Sequence, residues 1–106
     1  MRAIAESLEL SMNYGKKIVL HCPKGLHSSI DSIVDALIKS GVTYVGVVGK
    51  DAAHIEDIID EICVGDGSDV YSMLTANHEN ETIQDAINLA EQLTGEYAGP
   101  VQIVEF

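Results

Sequence analysis

Apolar positions along the chain recur at two alternating spacings. Lys17 to Cys22 (KIVLHC) is a short β-branched run closed by Pro23 and Gly25, the pattern of a buried strand. Ile30, Ile33, Val34, Leu37 and Ile38 then fall at i, i+3, i+4, i+7 and i+8, which predicts an amphipathic helix. Ser28 and Asp31 have the spacing of a capping box, Lys39 sits in the last turn, and Gly41 suits the residue beyond it. Thr43 to Val48 (TYVGVV) predicts a second strand ending at Gly49. Ile55, Ile58, Ile59, Ile62 and Cys63 repeat the helical stripe up to Gly65, and Val70 to Thr75 (VYSMLT) predicts a third strand. Ile83, Ala86, Ile87, Ala90 and Leu93 form the next stripe, with Thr82 and Asp85 as a capping pair and Gly95 as terminator. Val101 to Val104 is the fourth strand, and Ile4, Ala5, Leu8 and Met12 suggest an N-terminal helix ending near Gly15.

The order is therefore αβαβαβαβ in one α/β domain spanning residues 1–106. Strands separated by single helices pair in parallel through right-handed crossovers, which covers both faces of the sheet. The expected architecture is a three-layer, Rossmann-like or flavodoxin-like domain with a four-stranded parallel sheet. Strand order 2-1-3-4 is favoured, with 3-2-1-4 as the alternative. In such sheets ligands sit beyond the carboxyl ends of the strands, where the winding reverses. Order 2-1-3-4 puts that crevice between residues 22–29 and residues 75–81, flanked by Gly49, Lys50 and Asp51. His27, His54 and His78 fall in or just after these three segments.

Charge changes the picture. The net charge is −11, and residues 51–106 contain thirteen Asp and Glu with no Lys or Arg. A sequence-independent grip on nucleic acid or anionic lipid needs clustered positive charge, so neither partner is expected. A field of one sign instead steers basic proteins, and Glu56, Asp57, Asp60 and Glu61 on the polar side of the second helix are the candidate contact residues. Cys22 and Cys63 form no disulfide framework and suit a reducing compartment. Glu6 and Glu9 interrupt any secretory h-region, so the chain is expected in the cytoplasm, away from membranes. The apolar last strand at a sheet edge allows a homodimer by edge pairing.

The first loop carries the richest chemistry. Cys22 at a strand end, Gly25, and Ser28 with Ser29 opening a helix place a thiol beside backbone N–H groups suited to an anion. This spacing resembles the phosphocysteine loop, C-x-x-G-x-S-T/S-S, of the IIB subunits of sugar phosphotransferase systems, which implies a phosphoryl carrier. His27 stands where that family has a small hydroxyl residue. A tyrosine-phosphatase loop would need Arg at the place of Ser28, and neither a Walker loop nor a dinucleotide fingerprint occurs. A buried strand-end thiol is the plainer reading of Cys22. The catalytic candidates are Cys22, His27, His78 and Glu79, including a Cys22–His78–Glu79 triad. Lys24, Gly25, Ser28, Ser29, Thr75 and Asn77 are the candidate small-anion or nucleotide ligands. No pair among Cys22, His27, His54, His78 and Glu79 has the short spacing of a metal centre, so no metal or other cofactor is expected.

Ser40-Gly41-x-x-Tyr44, then Gly49, Asp57 and Asp60, then Leu74-Thr75-x-x-His78-Glu79-Asn80-Glu81 together resemble a family of small bacterial proteins of unknown function. That resemblance implies the same fold and draws attention to His78 and Glu79. Val48 and Asn77 stand where that family carries tryptophan. The expected role is a non-catalytic regulatory or interaction module, with a Cys22-based enzyme or phosphoryl carrier and a small-anion or nucleotide sensor as rivals.

Overall fold

A computed structural model describes residues 14–26 and 28–105. The expected N-terminal helix, His27 and Phe106 lie outside the described residues. The elements are β1 (Lys17–Cys22), α1 (Ile30–Lys39), β2 (Tyr44–Gly49), α2 (Ala52–Val64), β3 (Leu74–His78), α3 (Ile83–Gln92), a 3₁₀ turn (Gly95–Tyr97) and β4 (Gln102–Glu105).

The sheet has four parallel strands in the order β3-β2-β1-β4. The expected order 2-1-3-4 is corrected to its alternative, and the strand sequences give the reason. Order 2-1-3-4 makes β3 a central strand, yet its residues are LTANH, with Leu74 and Asn77 exposed. Such a strand cannot bury both faces, whereas β1 and β2 are buried almost throughout. The less apolar strands β3 and β4 therefore take the edges.

The winding of the chain sets the layers. The β1–β2 and β2–β3 crossovers step in one direction and the β3–β4 crossover steps back, so crossovers of one hand put α1 and α2 on one face and α3 on the other. Ile18, Leu20, Val45 and Val47 pack with Val34, Leu37, Ile55 and Ile59 on the first face. Val19, Tyr44 and Val48 pack with Ala86 and Ala90 on the second.

The third strand also moves in sequence, from the expected 70–75 to Leu74–His78. Val70 and Tyr71 read as strand because they are apolar, but Tyr71 closes the loop instead. Its N–H donates to Cys63 O (2.8 Å) and its hydroxyl to Val42 O (2.6 Å). At the first helix the N-cap is Ser29, not Ser28, and the expected Ser28–Asp31 box does not form.

α3 is fixed at both ends. Thr82 Oγ1 accepts from Asp85 N–H (3.0 Å) while Asp85 Oδ2 accepts from Thr82 N–H (2.9 Å), the reciprocal box read from the sequence. These bonds hold the Asp85 carboxyl below its usual range. At the far end Lys17, 2% exposed, donates from Nζ to Ala90 O (2.6 Å). That places a buried ammonium at the negative end of the helix dipole. Thr82→Ala is expected to lower stability by about 1 kcal/mol in urea unfolding, the cost of one lost N-cap.

Candidate functional site

The carboxyl ends of β1, β2 and β3 carry three loops that are tied together by carboxylates. Cys22 O accepts from both Gly25 N–H and Lys50 N–H (3.1 Å each), bringing the first two loops side by side. Asp51, at φ 62 and at the N-cap of α2, accepts on Oδ2 from Leu26 N–H (3.1 Å). From the third loop, Glu79 Oε1 accepts from Ala53 N–H (3.1 Å) in the first turn of α2. Gly49, Lys50, Asp51, Glu79, Asn80 and Glu81 line an open cleft of about 410 Å³ between the second and third loops.

This arrangement differs from the crevice expected between residues 22–29 and 75–81. In the observed order β2 lies between β1 and β3, so the second loop separates the other two. The winding reverses between β1 and β4 instead. Thr75 and Asn77 belong to β3 itself, with side chains bonded to α2: Thr75 Oγ1 donates to Asp60 Oδ1 (3.1 Å) and Asn77 Nδ2 to Glu56 Oε1 (3.4 Å). Lys24, Ser28 and Ser29 are exposed beside the first loop, and Gly25 turns at φ 88. Two backbone donors of this rim, Leu26 N–H and Ala53 N–H, already face the chain's own Asp51 and Glu79.

Among the described residues, the catalytic candidates Cys22, His78 and Glu79 are not brought together. Cys22 is 0% exposed and packs with Ile18 and Leu20 on the α1–α2 face. Burial pushes its thiol up to about 11, the opposite of what a nucleophile needs. His78 pairs with Val48 and, by the alternation of strand side chains, lies on the α3 face with Ala76. Cys22 and His78 thus occupy opposite faces with β2 between them. Glu79 is engaged with α2, and the imidazole partner is Glu81 instead, its Oε1 2.6 Å from His78 Nδ1. The Cys22–His78–Glu79 triad does not form. His54 is exposed on α2.

Sequence reasoning named Asp51 only as flanking the crevice and gave Glu81 and Tyr44 no site role. His78 and Glu81 at i, i+3 within HENE carried a usable signal. Nothing local announced Asp51, whose partner is 25 residues away. Tyr44 is buried on the α3 face. Neither its hydroxyl nor His78 Nε2 has a hydrogen-bond partner among the described residues. Gly46 separates the two on that face: a Cβ there would stand 3.0 Å from Tyr44 Oη and 3.6 Å from His78 Cδ2. Burial, and second the charge of Glu56, raise the Tyr44 phenol above its ordinary value.

A family model described as a domain of unknown function, DUF7684, matches residues 4–104. The chain belongs to that family. The match spans every described element except the last residue of β4, so this family member's fold and rim lie within it. No curated protein and no solved structure matches the chain. Among the described residues, no group of three or more His, Cys, Asp or Glu is placed to hold a metal ion, and no helix is long and apolar enough to cross a membrane.

Proposed function

We propose that this chain is a non-catalytic interaction module of the cytoplasm that engages a basic protein partner through α2. The observation that carries the reading is the uncompensated charge on that helix. Asp57, Asp60 and Glu61 are exposed and Glu56 is half-buried, and no Lys or Arg follows Lys50 in the chain to offset them. Clustered charge of one sign accelerates encounter with an oppositely charged partner and selects against wrong ones. The reading is further supported by the rim, where the thiol is buried, Glu79 occupies a backbone donor in the first turn of α2 and Asp51 occupies Leu26 N–H of the first loop. It needs no cofactor.

The test is affinity capture from native lysate with the wild-type chain beside the variant Glu56→Gln/Asp57→Asn/Asp60→Asn/Glu61→Gln. A stoichiometric basic partner is expected on the wild type, lost on the variant and released near 0.5 M ionic strength, where the Debye length falls to roughly 4 Å. Equal retention of the same partner by both proteins would end this assignment.

A further inference from the structure

The β3 edge and the carboxylates of α2 form one surface. β3 bonds to β2 alone among the described residues. Leu74 N–H donates to Thr43 O (2.9 Å), which fixes the phase of the ladder. Alternate residues of a parallel strand direct both backbone groups to the same neighbour, so Leu74, Ala76 and His78 serve β2. Thr75 and Asn77 turn their N–H and C=O groups outward. The side chains of these same two residues are bonded to Asp60 and Glu56, so an unpaired stretch of backbone runs directly beside two carboxylates.

We propose that the β3 edge takes an extended segment of a partner protein, paired to Thr75 and Asn77 and carrying Lys or Arg at alternate positions. This deepens the reading of the chain as an acidic interaction module and rests on it. Main-chain pairing at an exposed edge supplies affinity, and alternate side chains supply specificity. Strand side chains repeat with period two. The residues of an added strand opposite Thr75 and Asn77 therefore share one face, beside Asp60 and Glu56, and a basic-x-basic spacing meets both carboxylates. A second copy of this chain is disfavoured on the same grounds. Pairing two β3 edges would set Glu56 and Asp60 against their own equivalents, in a chain of net charge −11.

The experiment uses the full chain, ¹⁵N-labelled, at low ionic strength, with two blocked nonapeptides alternating Val with Lys or Val with Glu. The lysine peptide is expected to slow amide exchange at Thr75 and Asn77 by roughly tenfold and the glutamate peptide to leave it unchanged. Asn77→Pro removes an outward N–H while sparing the β2 ladder and is expected to abolish the protection. Should that variant unfold, Glu56→Gln/Asp60→Asn keeps the edge and is expected to weaken binding by roughly tenfold. Lysine-peptide binding that shifts Asp57 and Glu61 without protecting Thr75 and Asn77 overturns strand addition and leaves the acidic-module reading standing. No binding of either peptide overturns both. Protection that grows with protein concentration in the absence of peptide assigns the edge to a second copy and overturns the proposal.

Discussion

Native Cys22 is expected to alkylate at least about 100-fold more slowly than a free cysteine, and at the ordinary rate once the chain is unfolded in urea. Its thiol rises from an ordinary 9.0 to about 11 because burial penalises the thiolate. Two pH units cut the reactive fraction about 100-fold before access is considered. The side chain is also enclosed by Ile18, Leu20 and the helices above them, so reagent must wait for opening of the fold. The same shift gives stability a pH dependence of definite sign. The folded thiol keeps its proton to about pH 11 and the unfolded one releases it near 9, so this contribution is complete below pH 9 and is lost between 9 and 11. The expected loss from Cys22 is on the order of 2–3 kcal/mol, the equivalent of two pH units. Cys63 and Tyr44 shift the same way through burial and steepen the decline. A urea midpoint unchanged from pH 8 to 11, or rapid native labelling at Cys22, would return the thiol to the list of reactive groups.

Gly49→Ala is expected to be the most damaging small substitution, costing about 3 kcal/mol or more in equilibrium unfolding. Gly49 ends β2 at φ 119, a conformation that residues with a Cβ rarely adopt. An added methyl would also drive into the backbone of Cys22, touching its carbonyl oxygen and standing 2.7 Å from the carbonyl carbon. That carbonyl accepts from Lys50 N–H and Gly25 N–H, so relief of the clash would pull apart the first and second loops, the second of which lines the cleft. Gly99→Ala is the control. It has a comparable φ of 130 but no atom within 4 Å of the added methyl, so it isolates the conformational part of the cost. Equal midpoints for the two variants would show that the close approach to Cys22 does not matter.

What could be read from the sequence tracks what is local. The three apolar stripes correspond to α1, α2 and α3, because a helix buries one face and its period is written in contiguous residues. The Thr82–Asp85 box was legible for the same reason. β3 was misplaced because the apolar run at Val70–Met73 is spent on a loop behind α2, while the true strand is an edge that needs little hydrophobicity. Strand order depends on which strands tolerate an edge, a comparison across the whole chain. The rim was the least legible region. The bonds Asp51–Leu26 and Glu79–Ala53 join residues about 25 apart, and no spacing rule connects them.

The strand order turns an imbalance along the chain into an imbalance across the molecule. The described lysines lie on or beside β1, on α1, or at the exit of β2, whereas Glu56 to Glu81 crowd the β3 end of the sheet. The described charges therefore form an electric dipole lying across the strands. Beyond about 8 Å of contact such a dipole is muted by physiological salt, but inside that range it exerts a torque. A tumbling copy that drifts toward a positively charged surface is turned β3-first before the two touch.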